Sequence, residues 1–584
     1  MTKELLITTG IKETFVSQPF SKVLLGHWCK KYKDHEYWEK TSHRISSYHW
    51  DDRKKLKKDH EYLKNIYDEI LNQLSFELNG IHNVKRPRSY WTLILGPWLA
   101  IYLPKIFDRW EILRSFYESD KNFSTVRGVE NFKMRPPRDI RDCEVSYQTD
   151  HWNYEIFLDI IEKYYSEKTT FIDVKFQDIK TEEKKGEIKK GVVSKIISLI
   201  NNLLLPITRD NEVFFYRSYF SLNKFFKLNY LLKQLPRLDN SIFDNSIFDN
   251  SIFDFSLRNK KIVIHSKSKF TDYLSNRIYH DMPSSYLENY SSIIARVDKL
   301  KYNPKVIFTS ISHHNDDSFK IWAGEMVSRG KKLVLSHHGG AFPSLFCNLY
   351  REEDCSDIYI TWFKPFNSQQ KQLPPLKKHL RRLNVGSGDL CTILGYESSR
   401  YAYRAEAAPI SFQSILCLNQ VVTFCQNVNC NIKKKIKIRP YVDMGWNMKE
   451  RYIQELGVKH VDDQSNYYSI LNKSRIIICT YPQTTFSEAM ASGKPTILLY
   501  KNDYFELIQE TNDIVNQLKA AKIIFTNPLE AAEHINNIWS NVEEWWCNTE
   551  VLEARKAFYD IALRVDRKWT NEWVTLFKTL LNSQ

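Results

Sequence analysis

Along residues 305–525 short apolar runs alternate with stretches whose apolar positions recur at helical spacing, the pattern of parallel, doubly wound sheets. Strands are predicted at Lys305–Ser310, Lys332–Leu335, Ile358–Thr361, Ser414–Leu418, Lys435–Arg439, Arg475–Thr480, Thr496–Tyr500 and Lys522–Phe525, with Lys261–His265 ahead of them. Asn447–Glu455 and Tyr504–Ala521 read as intervening helices. Nearer the start, Leu5–Thr8 reads as a strand and Arg53–Leu78 as an amphipathic helix. Tyr90–Leu103 is uncharged but too short for the roughly 20 apolar residues of a membrane span, so it reads as a buried element.

A chain of 584 residues exceeds what one core holds and divides into two or three domains. Pro374, Pro375, the basic run 377–382 and Gly386-Ser387-Gly388 interrupt the alternation near 365–410. Two Rossmann-like domains facing a cleft, behind an α-rich aromatic N-terminal region, satisfy this layout, and ligands of such sheets sit beyond the strands' carboxyl ends. The expected division is an N-terminal region at 1–235, a tandem-repeat loop at 236–258, the rest of the first α/β domain at 259–405, a nucleotide-binding domain at 406–545 and terminal helices at 546–584. Asn240–Asp254 repeats Asn-Ser-Ile-Phe-Asp three times, and is expected to be a surface-loop insertion of no functional weight, with at most one copy docked.

Composition narrows the class. The chain is 42% hydrophobic and 14% aromatic, which excludes global disorder. Ten cysteines without a Cys-x-x-Cys pair fit reduced thiols, and the N-terminus lacks a secretory apolar core, so a cytoplasmic location is expected. A formal charge of +15 suits an anionic partner: a nucleotide, a lipid-linked phosphate at the inner membrane face, or nucleic acid. P-loop, Gly-x-Gly-x-x-Gly and Gly-x-Ser-x-Gly motifs are absent.

The chemistry concentrates in two places. In Arg475–Tyr500 a buried strand runs through a polar turn into a short helix, where Thr485 and Glu488 stand at capping-box spacing, Gly493 can end the helix and Pro495 prevents its continuation. The free amides there, with the hydroxyls of Thr480, Thr484, Thr485 and Ser487, would hold a phosphate. Glu488 either accepts ribose hydroxyls or caps its own helix. Arg439 ends a strand expected to neighbour Arg475–Thr480, and either neutralises a phosphate or is an ordinary surface residue. The second place is Ser336-His337-His338-Gly339-Gly340, closing a strand, where a histidine is either structural or a general base for an acceptor hydroxyl. Any acid of Arg351–Asp357 can orient it. His313, His314, Asp316 and Asp317 cluster nearby, but their spacing matches no zinc signature, and a metal-free site is expected.

Taken together, GHWCKKY, YHWDDRKKLKKDHEYL, YWTLILGPWLAIY with FDRWE, HHGGAF, RPYVDMGWNMKERY and TTFSEAMASGKPTI resemble the bacterial surface-carbohydrate transferase family of lipopolysaccharide and capsule gene clusters, over nearly the whole chain. The resemblance implies a GT-B-like C-terminal half, with the Thr-rich turn similar to the donor-nucleotide region of that fold. That family usually carries Gln-His-Gly-Gly where this chain has His337-His338-Gly339-Gly340, which places the catalytic role on His338 before His337. The implied activity is metal-independent, cofactor-free glycosyl transfer from a nucleotide-activated sugar to a glycan or lipid-linked acceptor, with peripheral contact at an anionic membrane surface and no nucleic acid. A CDP-glycerol-type phosphotransferase and a non-catalytic glycan-assembly protein are the alternatives.

Overall fold

Three five-stranded, wholly parallel sheets follow one another along the chain in a computed structural model. It describes residues 4–16, 20–118, 122–129, 135–176, 199–238 except 202, 205 and 209, 242–243, 253–375 except 301 and 341, 383, 388–564 and 569–583. The lysines at 184–190, the basic run 377–382 and most of the tandem repeat lie outside these residues.

The first sheet holds β1 (Glu4–Ile7), β2 (Ser21–Leu24), β3 (His43–Ile45), β4 (Phe123–Val129) and β5 (Thr169–Lys175), ordered β3-β2-β1-β4-β5. The expected α-rich N-terminal region therefore carries a Rossmann-like sheet of its own, with the winding reversing between β1 and β4. In the second, β6 (Val213–Tyr216), β7 (Val306–Thr309), β8 (Lys332–Ser336), β9 (Ile358–Thr361) and β10 (Gln370–Gln372) stand in chain order. The third contains β11 (Leu390–Leu394), β12 (Ile436–Arg439), β13 (Ser474–Cys479), β14 (Thr496–Leu499) and β15 (Ile524–Phe525), ordered β12-β11-β13-β14-β15, so its reversal falls between β11 and β13. The two expected Rossmann-like units correspond to the second and third sheets. The third opens at Leu390, ahead of the residue 406 expected from the proline-rich break.

Both faces of the second and third sheets are buried, which is why their strands read as continuous apolar runs. In the third, Ile477, Cys479 and Leu498 enter one core while Ile476, Ile478, Ile497 and Leu499 enter the other. Two expected strands are corrected. Ser414–Leu418 lies in the helix Gln413–Asn427, since a short apolar run does not distinguish a buried strand from a buried helix. Lys261–His265 alternates buried Ile262 with exposed Val263 as a strand would, but Ile262 pairs with Ser275 of a neighbouring helix and joins no sheet.

Helix α1 (Arg53–Ile81) is capped by the Asp52 carboxylate, which accepts from the Lys54 and Lys55 amides. Helix α2 (Arg88–Tyr117) is buried on nearly every side and contains the expected Tyr90–Leu103 element. Its Asp108 and Arg109 pair at 2.7 Å within the core, and no helix of the described residues is long and apolar enough to cross a membrane. Helix α3 (Asp317–Ser328) covers one face of the second sheet; α4 (Thr484–Ser492) follows β13, and α5 (Trp569–Asn582) returns to the opposite face of the second sheet.

Of the tandem, residues 242–243 and 253–254 are described. Phe243 of the first copy is buried against Tyr216, Phe319 and Trp322 at 4.9–5.6 Å between ring centroids. Asp254 of the third copy caps the short helix that follows, accepting from the Ser256 and Leu257 amides.

Candidate functional site

At the carboxyl end of the second sheet the loops after β6, β7 and β8 meet. A pocket is lined there by Ser218, Tyr219, Phe220, Ser310, Ser336, His337, His338, Ile360, Trp362, Leu373, Pro375 and, from α5, Trp573. It encloses only about 20 Å³, room for a water-sized group. Arg217 and Tyr219 hold positive φ angles of 45° and 59°, and Ser310 Oγ ties this turn down by donating to the Ser218 carbonyl at 2.9 Å. Non-glycine residues in that region cost free energy that the surrounding structure must offset. His337 and His338 both reach solvent, with rings 6.0 Å apart. Desolvation by the cleft walls holds the His337 pKa below its usual value, against the opposing pull of Glu352.

The third sheet presents α4 to this loop. Its N-cap, Gln483, makes no side-chain capping bond, and Gly493 ends it in the left-handed conformation at φ 78°. Gly339 touches the helix start so closely that a Cβ there would lie 2.1 Å from Thr484 Oγ1. Phe342 packs beyond it against Phe486, with tilted rings, and edge-to-face against Phe558, and the Leu345 amide donates to the Glu506 carbonyl at 2.8 Å. The loop carrying both histidines is thus seated on the amide-bearing end of α4, and glycine is required at 339 by the approach of Thr484.

The remaining sequence-derived candidates divide. Thr484 and Thr485 are part-exposed at the helix start, Thr485 bonded to the Tyr481 hydroxyl. Thr480 is buried and donates to the Leu394 carbonyl at 2.9 Å, and Ser487 is fully buried. Glu488 is 7% exposed, beside the Tyr467 hydroxyl and close to Tyr481. The capping-box spacing of Thr485 and Glu488 forms no box, because the helix begins one residue earlier. Arg439 lies on the edge strand β12 with β11 between it and β13, so the two strands are not neighbours as expected. It still ends in the row Arg439–Leu394–Cys479, and its guanidinium donates to the Ser465 carbonyl at 2.6 Å. Gly340 packs on Trp362 and His337.

Sequence reasoning passed over the aromatic group where the third sheet reverses. Tyr396 after β11, Tyr441 after β12 and Tyr481 after β13 lie 5.2–6.3 Å apart, and Tyr441 is 44% exposed. The signal missed was β11, hidden in the region taken as a break. Beside Tyr396, Glu397 is buried, and its Oε1 accepts from the Met444 and Trp446 amides at 2.8 and 2.9 Å. Burial first, with Asp443 adding, pushes its carboxyl up to about 8.

The acids near the histidines were also redistributed. Asp316 caps α3 and accepts from the Tyr216 hydroxyl, while Asp317 is paired with Lys320 at 2.7 Å and holds the Ser285 and Tyr286 hydroxyls. Of the Arg351–Asp357 acids it is Glu352 that reaches the histidines, lying 3.3 Å from His314 Nε2 and 3.9 Å from His313 Nε2. The His314 ring is 6.1 Å from that of His338.

A sequence model described as LIC12162 family transferase matches residues 4–577. No curated protein matches the chain in sequence. Among solved structures, a protein described as a UDP-N-acetylglucosamine 2-epimerase from Listeria monocytogenes is 12% identical, with a TM-score of 0.33 over 54% of this chain and 87% of that one. The S. aureus MnaA–UDP structure is 11% identical, with a TM-score of 0.33 over 50% and 81%. The wall teichoic acid polymerase TagF is 10% identical, with a TM-score of 0.31 over 68% and 96%.

Proposed function

Since the chain belongs to the LIC12162 transferase family, we propose that it moves a sugar from a nucleotide-activated donor to a growing bacterial surface glycan, in the cytoplasm or at the inner face of the membrane. One observation carries this reading: the His337-His338 loop is seated on the N-terminus of α4, with Gly339 against Thr484. That contact brings a proton acceptor and an anion-binding helix end to the same place, the two groups that glycosyl transfer from a nucleotide needs.

In this reading the Thr484 and Thr485 hydroxyls and the first amides of α4 receive the donor phosphates and stabilise the charge that develops on the leaving nucleotide. No metal is needed in that phosphate subsite. Tyr441 and Tyr396 offer the base an aromatic face. His338, exposed at the pocket, takes the proton of the acceptor hydroxyl, and His337 orients it. Arg439 acts at longer range from β12. Ser487, fully buried, positions α4, and Glu488 is the candidate acceptor for the ribose hydroxyls.

The test is a thermal-shift series of the full chain with UDP, GDP, CMP and CDP, followed by product analysis with the donor that binds. One nucleotide is expected to raise the melting temperature, and its sugar donor to release that nucleotide slowly, faster with acceptor. Absence of stabilisation by all four, with no donor hydrolysed, overturns the reading. Release of CMP with a glycerol-phosphate product assigns the phosphotransferase alternative instead.

A further inference from the structure

His313, His314 and Glu352 converge from two separate segments at the carboxyl end of the second sheet. Each offers an atom suited to metal ligation, and the three atoms lie within 4.8 Å of one another. His313 and His314 follow β7 on a single helical turn, with rings 4.1 Å apart, and Glu352 enters from the turn ahead of β9. The Glu352 Oε1 distances of 3.3 and 3.9 Å to the two Nε2 atoms bracket the separation that a cation with bonds of about 2.0–2.2 Å imposes on tetrahedral ligands, roughly 3.4 Å.

A second observation points to an occupant. His313 is 1% exposed, and neither of its ring nitrogens has a hydrogen-bond partner. Such a ring loses its bonds to water without replacement, and the Glu352 oxygen, 3.9 Å from its Nε2, lies beyond hydrogen-bonding range. An ion pair between His314 and Glu352 alone leaves this defect in place. A cation bound by all three would engage one of the two His313 nitrogens.

We propose that His313, His314 and Glu352 form a binding site for a divalent transition cation of the zinc class. Two imidazoles and one carboxylate suit zinc and its neighbours and disfavour magnesium and calcium, which take oxygen ligands. Three protein ligands leave a position open, and the exposed His338 ring lies beside His314 on the pocket side. The cation ties the loop after β7 to the turn before β9 and thereby holds the wall behind the histidine loop. The site is separate from the donor-phosphate subsite on α4 and extends the functional reading above without depending on it.

The full chain, dialysed against EDTA and then into chelator-free buffer, is titrated with zinc chloride by calorimetry, with magnesium chloride as comparison. One equivalent of zinc is expected to bind and to raise the melting temperature, with no magnesium binding. Glu352→Gln and, separately, His314→Asn are expected to weaken zinc binding by more than ~10-fold, the least that losing a direct ligand should cost. His314 is part-exposed, so its variant remains folded where the Glu352 change does not. Zinc binding that is absent, or unaltered in a folded variant, overturns the site. Nucleotide-dependent stabilisation, measured on the same chelated protein, fails or persists independently and so reports on the transferase reading alone.

Discussion

The first and second sheets both end in ionisable side chains at their carboxyl edges, but the two ends use them in opposite ways. Beyond β1, Asp150 accepts from the Gly10 amide and the Tyr401 hydroxyl at 3.0 and 2.6 Å and pairs with Lys31 and Arg400 at 2.5 and 2.8 Å. Arg400 also bonds the Trp28 carbonyl, and Trp28 the Thr8 carbonyl. Burial opposes charge on Asp150, yet Arg400 and Lys31 outweigh it and hold the carboxyl well below its usual range. Nothing in this network is left to meet a ligand. Beyond β8, by contrast, two histidines face solvent on a loop whose neighbours carry positive φ. The position at the open end of a parallel sheet is the same, and saturation separates a structural joint from a candidate site. The third sheet stands between them, with Glu397 buried and one of its oxygens, Oε2, lacking a partner.

The comparison breaks most visibly at Asp150. Asp150→Ala leaves buried Arg400 and half-buried Lys31 without their counter-charge and should cost ~3–5 kcal/mol, read by urea denaturation at pH 7. Because its folded-state pKa is depressed, the wild-type contribution is present above the ordinary carboxylate pKa and is lost as pH falls below it. A loss under 1 kcal/mol would show that the network is not the joint described.

His338→Ala should act the other way round. Transfer is expected to fall by ~10²–10⁴, while stability stays within ~0.5 kcal/mol, as for an exposed residue. Unchanged turnover, or a marked drop in melting temperature, would place the second edge with the first.

Smaller effects sharpen the boundary between the loop and α4. Gly339→Ala inserts a methyl group 2.1 Å from Thr484 Oγ1 and should cost ~1–3 kcal/mol. Thr484→Gly added to it should restore most of the loss, and no coupling in that double-mutant cycle would remove the contact from the site. Glu397→Gln tests the third sheet. With the folded pKa raised from 4.5 to about 8, stability should decline as pH rises between those values. The glutamine variant should flatten that slope, as seen in melting temperatures from pH 5 to 8.5, and an unaltered slope would assign it to another group.

Local pattern alone identified the elements whose environment is the same wherever they dock. Ile358–Thr361, the run ending in Cys479 and the Gly493 helix stop were legible because strand burial and left-handed capping are properties of a few adjacent residues. The HHGG loop and the Thr-rich turn stood out as candidates for the same reason. What lay beyond reach was pairing. The central β11, placed between β12 and β13, moved Arg439 away from the strand it was expected to join. Glu352, one acid among several, was selected by the packing of the turn before β9 against His313 and His314, while Asp316 and Asp317 went to α3 and to Lys320. Ser414–Leu418 became helix and Lys261–His265 stayed outside every sheet, since hydrogen-bond partners for a strand come from distant chain. The sequence by itself determined which residue types stand at the ends of parallel strands. Only the tertiary structure decided which of them are saturated by neighbours and which remain open, because the desolvation and pairing that make this difference depend on contacts between segments hundreds of residues apart, as between Asp150 and Arg400.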